Sequence, residues 1–325
     1  MGSFIEGADC VACIDPALRA QVVRRAPLEY AGPVEAHEDR PDLVRAASGI
    51  CFLRDELVVV QDDASFIATF KPSGKAQSHA LPAGPAGRRR FEKRLGNKYD
   101  KLDLESAFAF DERVFAIGSG SLPVRERVVV FDPRASPAVK VVDASALFAQ
   151  FHANDRFSGG ALNIEGAAAV GDVVRFFQRG NGVGERLSPA TVDVDLAAFV
   201  AWVDGAAEVP AIRHVRRFDL GTLGGVRLGF TDACATGDGI VFLASAEGSR
   251  NTVDDGELFG SCIGSLRGDV ARLTPLLDEA GVAAPLKAEG IAIGPHDPRR
   301  AWVVLDSDDP DIATDLCEVT LDGPW

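Results

Sequence analysis

Apolar and polar positions alternate along this chain in short bursts, and the bursts recur. Five segments share one layout: SGICFLRDELVVVQDDAS from Ser48, ESAFAFDERVFAIGSGS from Glu105, EGAAAVGDVVRFFQRGNG from Glu165, DACATGDGIVFLASAEGS from Asp232 and EGIAIGPHDPRRAWVVLDSDD from Glu289. Each opens on a polar residue followed by Gly, Ala or Ser and runs through a short apolar stretch into a turn rich in Gly, Asp and Arg. It then returns through a second apolar run into small and polar residues. Two β-branched or aromatic runs around a tight turn predict a β-hairpin.

The openings lie 57, 60, 67 and 57 residues apart. A period near 60 accommodates four strands of about five or six residues with their loops, which is one propeller blade. Third and fourth strands are readable as RVVVFD and AVKVVD in the second repeat, and as FGSCIGSL and VARLTPL in the fourth. The expected fold is therefore all-β: one β-propeller domain over residues 1–325, of five blades with four antiparallel strands each. A six-bladed ring is the alternative, with a degenerate blade inside 1–45 or 192–228.

The last repeat has room for only three strands, the third being LCEVTL, which leaves an unpaired edge. Within the N-terminal segment 1–45, QVVRRAPLEY at 21–30 is the stretch suited to complete that blade. VDLAAFVAWVDGA follows a 3.6-residue period and predicts a short helical insertion over 192–206. The run GRRRFEKRLGNKYDK, with seven Lys or Arg, reads as a solvated linker between the first two blades.

Hairpin geometry makes one face of such a ring functional. The first strand of each blade lines the channel, and the second returns to the face where the first began. Ser48, Glu105, Glu165, Asp232 and Glu289 are thus expected around one channel mouth. The closing clusters stand beside them: Gln61, Asp62 and Asp63; Ser119 and Ser121; Arg179 and Asn181; Glu247 and Asn251; Asp306 and Asp308. Four carboxylates in a narrow channel raise one another's pKa unless a cation is present.

Three readings of the ring stand open. Glu105, Glu165, Asp232 and Glu289 suit a hard cation such as calcium, with Asp254, Asp255 and the SDDPD run as further oxygen donors. The same acids suit structural staples that accept backbone N–H bonds. They also suit metal-free acid–base work, with Glu105 and Glu165 as catalytic candidates. Arg179, Asn181, Glu247 and Asp306 are the ligand-binding candidates, and an Arg at position 179 could neutralise ring acids without any ion.

Composition narrows the classes. A net charge of −14 argues against nucleic acid, which needs a basic face. No apolar run approaches a membrane span and no secretion signal is apparent, so the chain reads as cytoplasmic, monomeric, with a small-molecule ligand as partner. Six cysteines are too sparse for a disulfide scaffold; Cys51, Cys234, Cys262 and Cys317 read as buried thiols, and Cys10 and Cys13 form a lone C-x-x-C. None of the five histidines falls in a polar cluster, and no Walker, dinucleotide or nucleophile-elbow motif occurs.

The strings DLESAFAFDERVFAIGSGSLPVRERVVVFD, LNIEGAAAVGDVVRFFQRGNG, LGFTDACATGDGIVFLASAEGSRNTVDDG and KAEGIAI with WVVLDSDDP resemble an uncharacterised bacterial propeller family. That family is similar to the phytase-like, esterase-like and SdiA-regulated propellers. The resemblance spans about residues 45 to 325. More distantly, the E-G openings resemble the gluconolactonase and paraoxonase propellers. That likeness implies calcium held by Glu105, Glu165, Asp232 and Glu289, with Asn181 as an amide partner, in a hydrolase of small esters, lactones or phosphoesters. The alternative is a propeller that binds a ligand or partner without turnover. Departures from those enzymes are the absent channel histidine and Ser48 in place of a fifth acid.

Overall fold

A computed structural model describes residues 7–35, 38–181, 187–237, 239–248 and 256–325. Strand β1 (Arg19–Pro27) follows two two-residue strands, Cys10–Val11 and Cys13–Ile14, and pairs with the last strand of the chain. One sheet holds β2 (Ala47–Leu53), β3 (Glu56–Gln61), β4 (Phe66–Phe70) and β5 (Gln77–Ala80), in that order. A second holds β6 (Leu104–Phe110), β7 (Arg113–Gly118), β8 (Arg127–Phe131) and β9 (Val139–Asp143). A third holds β10 (Ile164–Val170), β11 (Val173–Gln178), β12 (Ala190–Asp195) and β13 (Ile212–Asp219), edged by Cys10–Val11.

The remainder forms one ten-stranded sheet, counting the two-residue strands Thr222–Leu223 and Cys13–Ile14, where two separate ones were expected. Its first half is β14 (Val226–Thr236), β15 (Gly239–Glu247), β16 (Leu258–Arg267) and β17 (Val270–Leu277). Its second half is β18 (Ala288–Ile293), β19 (Arg300–Leu305) and β20 (Asp315–Asp322), with β1 antiparallel to β20. The halves join where β17 meets β1 in parallel, Leu276 with Ala20 and Leu277 with Gln21. The N-terminal segment laces the outer edges: Cys10 pairs with Phe218 in β13, Cys13 with Arg272 in β17, and Tyr30 bridges Ala76 beside β5. No helix among the described residues is long and apolar enough to cross a membrane.

Strands β2, β6, β10, β14 and β18 each adjoin the next, and β18 adjoins β2, so they make a closed ring. The alternation of side chains along a strand puts every second residue into a different interface. In β3, Val58 and Val60 pack toward β6 and β7, while Leu57 and Val59 pack against Val304 and Leu316 on the other side. Five apolar clusters result, one in each gap between neighbouring groups of strands around the ring. Phe230 stands at one such gap, edge-on to Phe177, Phe218 and Phe242 at 5.1–5.4 Å.

Helix α1 (Ser145–Ala153) and the turn α2 (Asp155–Ser158) fill the space beside β10 with Leu147, Phe148, Phe151 and Phe157. Helix α3 (Leu196–Asp204) begins at Asp195, whose carboxylate accepts from the Ala198 N–H at 2.9 Å, and buries Leu196, Phe199 and Val203. The stretch 192–228 therefore contains a helix and the outer strand β13.

All five inner strands carry one β-bulge at the same place, at Ser48, Glu105, Glu165, Thr231 and Glu289. A bulge re-aims the extra residue out of the ladder. The next residue faces the neighbouring inner strand at close quarters. At Gly49 an added Cβ would stand 2.8 Å from backbone atoms of Ser106 and Ala107. Gly49→Ala should therefore cost about 1–3 kcal/mol by overpacking, read as a lower midpoint in equilibrium urea unfolding.

Candidate functional site: a mixed-charge channel mouth

Four of the five bulge residues, Ser48, Glu105, Glu165 and Glu289, open onto a cavity of about 380 Å³. Among the described residues, Ser48, Glu105, Glu165, Arg179, Asn181, Glu247, Glu289, Asp306 and Asp308 all line it, as do Asp62 and Asp63. Asp232 does not. Its fully buried carboxylate lies below, accepting from the Ile291 N–H at 2.9 Å and facing the Ser106 hydroxyl at 3.4 Å. Burial drives this carboxyl well above the usual range. Asp232 thus ties inner strands together, and Thr231 holds the ring position expected for it.

The sequence held a signal for that register. In the first four repeats the bulge residue stands five places before the end of its strand: Ser48 before Leu53, Glu105 before Phe110, Glu165 before Val170 and Thr231 before Thr236. Aligning acid to acid moved the fourth repeat by one residue, and in a strand one residue changes the face. The ring is consequently three acids and two hydroxyls. The hydroxyls staple: Thr231 Oγ1 donates to the Ala288 carbonyl at 2.8 Å, and Ser48 donates to the Leu104 carbonyl.

Buried cations interleave with the three acids. Lys101 Nζ lies 2.5 Å from Asp62 Oδ2 and 2.6 Å from Asp103 Oδ1. Arg125 adds a second contact to Asp103 at 2.8 Å, and Ser119 donates to the same carboxylate, so Asp103 is held below its ordinary range despite burial. Arg179 spans two sheets, with Nη1 3.2 Å from Glu165 and Nη2 2.6 Å from Glu247. Its close approach depends on Gly229, where a Cβ would stand 2.7 Å from the Arg179 carbonyl oxygen. Lys287 pairs with Asp308 and lies 3.6 Å from both Glu289 and Asp306.

Of these cations only Arg179 was read from the sequence, although a further pattern existed. Asp103, Asn163 and Lys287 each stand two places before a bulge acid, in the strings DLE, NIE and KAE. The basic linker was misplaced too. Phe91, Glu92, Lys93, Arg94 and Lys98 line the cavity. Arg90 is bound to Asp39 and Arg94 to Glu92 and Asp311, while Arg45 holds Glu92 at 2.7 Å and Asp63 at 3.2 Å. Lys93, Arg94, Leu95 and Tyr99 are exposed, as expected of a solvated loop, but the segment also forms part of the wall.

Glu105 and Glu165 differ sharply in company. Glu165 accepts from Asn163 Nδ2 at 2.5 Å and from Arg179. Glu105 accepts no hydrogen bond among the described residues. Burial, with Glu165, Asp103 and Asp62 nearby, pushes Glu105 well above the carboxylate range; burial also raises Glu165, but Arg179 opposes it. Burial likewise carries Glu289 up to about 8 and Asp63 and Asp306 up to about 7.

Three carboxylates, Asp62, Asp103 and Glu105, bring one oxygen each within 4.8 Å of one another, the spacing of a cation site. Of the four acids expected to bind metal, only Glu105 belongs to that trio. The Lys101 ammonium already occupies the position between Asp62 and Asp103, so the donor set does not fit a divalent cation while Lys101 stands there. Asn251, Asp254, Asp255 and His37 lie outside the described residues. His79, His152, His214 and His296 do not line the cavity, and all six cysteines are free thiols, with Cys13 exposed.

The fold is similar to that of Myxococcus xanthus glutaminyl cyclase, at 12% identity and a TM-score of 0.50 over 94% of this chain and 97% of that one. The Pan2 WD40 domain of Neurospora crassa matches at 11% identity and TM-score 0.40, covering 97% and 98%. Virginiamycin B lyase of Staphylococcus aureus matches at 10% and 0.38, covering 93% and 99%. The likeness is of a β-propeller and extends to the fold alone. Among curated proteins, none matches by sequence. A family model matches residues 43–321, and the chain belongs to that family, the family of unknown function DUF6929.

Proposed function

We propose that this chain is a propeller of five four-stranded blades whose channel mouth is a metal-independent acid–base site for a small polar substrate. Glu105 gives the proton and Glu165 receives one. The observation that carries this reading is the asymmetry of the two carboxyls: Glu165 is bound by Arg179 and Asn163, whereas Glu105 accepts no hydrogen bond among the described residues. Paired carboxyls whose surroundings separate their protonation states serve as acid and base at one pH. Hydrolysis of a small ester, lactone or phosphoester fits this division. Glu165 would take a proton from water as it attacks, and Glu105 would protonate the departing oxygen.

The test reads the proton directly. In carbon-13 spectra of glutamate-labelled protein at pH 7, two carboxyl signals, those of Glu105 and Glu289, should remain in the protonated position. Glu105→Gln should remove one of them and Glu165→Gln should leave both. A wild-type spectrum with every glutamate ionised overturns the assignment. On an ester, lactone and phosphoester panel with excess EDTA, each variant should lose at least about 10²-fold in turnover of any substrate found.

The second reading is a calcium-dependent hydrolase, favoured by the spacing of Asp62, Asp103 and Glu105. It requires Lys101 to leave its place. A calcium-dependent rise in melting temperature of the wild-type protein, reversed by EDTA, would support it over the first.

A further inference from the structure

A second, smaller cleft shares no lining residue with the channel mouth. It measures about 190 Å³ and lies between β1, β19 and β20 on one side and the loop from β4 to β5 on the other. Leu28, Trp302 and Leu316 form its inner wall and continue into the apolar cluster behind them.

A bulge brings a charge to this cleft. In β1 the register slips between Val22, opposite Val319, and Arg24, opposite Glu318, so Val23 is the extra residue. Before the slip, Ala20 and Val22 face the cluster shared with Val303 and Cys317; after it, Arg24, Ala26 and Leu28 line the cleft on the opposite face. Without the extra residue, Arg24 and Ala26 would stay on the side of Ala20 and Val22.

Three charged side chains line the cleft, and two are already matched. Glu318 is held by Arg300 at 2.8 Å and Lys75 by Glu29 at 2.8 Å. Arg24 stands opposite Glu318 in the ladder, yet its guanidinium has no partner among the described residues. Trp302 is a second free donor. It is 8% exposed, with Phe52 edge-on at 5.1 Å and the Arg300 guanidinium at 5.9 Å, and its indole N–H donates no hydrogen bond among the described residues. An indole nitrogen only donates, and a buried one ordinarily has an acceptor.

Two free donors and one uncompensated positive charge suit a single negative acceptor. A guanidinium takes a planar carboxylate through two parallel bonds. A cation would face Arg24 and Lys75. A dianion would bring a second charge toward Glu318, and the side chains of Ala26, Pro27, Leu28 and Pro72 offer it no donor. Those same walls suit a ligand's apolar part.

We infer that this cleft is a second ligand site, for a small carboxylate with an apolar body. Its oxygens are taken by Arg24 and the Trp302 indole N–H, and its body rests on Pro27, Pro72 and Leu316. The site is independent of the acid–base reading of the channel mouth.

Titration of the full chain at pH 7 with benzoate, benzylammonium, acetate and inorganic phosphate tests it, by calorimetry and by the indole signals of nitrogen-15-labelled protein. Benzoate should bind at least tenfold more tightly than acetate or phosphate, and benzylammonium should not bind. One of the three tryptophan indole signals should move downfield with benzoate, and Trp302→Phe should remove that signal. Arg24→Gln should weaken benzoate at least tenfold without moving the melting transition, because Arg24 holds nothing in the free protein. An unchanged Kd in Arg24→Gln overturns the inference, as does benzoate binding that leaves the Trp302 signal in place, or no binding at millimolar benzoate. Benzylammonium binding as tight as benzoate overturns the sign of the charge. Acetate or phosphate binding as tight as benzoate means an adventitious ion only, and overturns the apolar half.

Discussion

Replacing Lys101 with Met should remove about 3–5 kcal/mol of stability, because it strands buried charge. The ammonium is 4% exposed and touches Asp62 and Asp103, and Glu105 lies in its field. Without it, among the described residues Asp103 keeps Arg125 and Ser119, while Asp62 loses its ion pair. The remaining trio of carboxylate oxygens has the spacing of a cation site, so millimolar calcium should restore part of the loss in the variant and none in wild type. Urea unfolding at pH 7, with and without calcium, reads both effects. A loss under about 1 kcal/mol, or a wild-type gain from calcium, would show that Lys101 is not the resident cation of this site.

The second large effect concerns Arg179, which holds two carboxylates from different sheets with two different nitrogens. Arg179→Met should cost about 3–5 kcal/mol for the same reason, since Glu165 and Glu247 are both buried beside it. Arg179→Lys is the more telling change. It keeps the charge and loses the fork, so one of the two acids must go unpaired, at about 1–3 kcal/mol. Adding Glu165→Gln to Arg179→Met should recover part of the loss, because one of the two stranded charges is then gone. Chemical denaturation of the three variants separates these terms. Full retention of stability in Arg179→Lys would mean that a point charge suffices.

How much of this was readable beforehand follows from range. Each hairpin is local, so the turns at Arg54, Asp111 and Gly171 and the apolar runs around them identified the inner strand pairs directly. The same holds for α3, where Asp195 caps a periodic stretch. The bulge at Thr231 was not readable from residue type, since an aspartate one place later imitated the missing acid. Register, which decides the face, depends on backbone pairing and not on which residue looks chemically apt. The cations were hidden for another reason. Lys101 lies in a basic run that looked like solvated linker, and only packing of that run over the mouth brings it to Asp62, which is 39 positions earlier in the chain. Arg179 was noticed, but its second partner, Glu247, is 68 positions away.

The pairing of β1 with β20 bears on how this ring responds to force. Arg19 is the direct partner of Asp322, and Pro27 of Asp315. The chain therefore enters β1 and leaves β20 at the same corner, so tension applied at Arg19 and Asp322 acts across the ladder and not along it. Hydrogen bonds loaded that way open one after another, beginning at Arg19, instead of sharing the load as in a sheared pair. The closure that completes the last blade is thus also its zipper: firm against thermal opening while all its rungs act together, and weak to a pull that meets them singly.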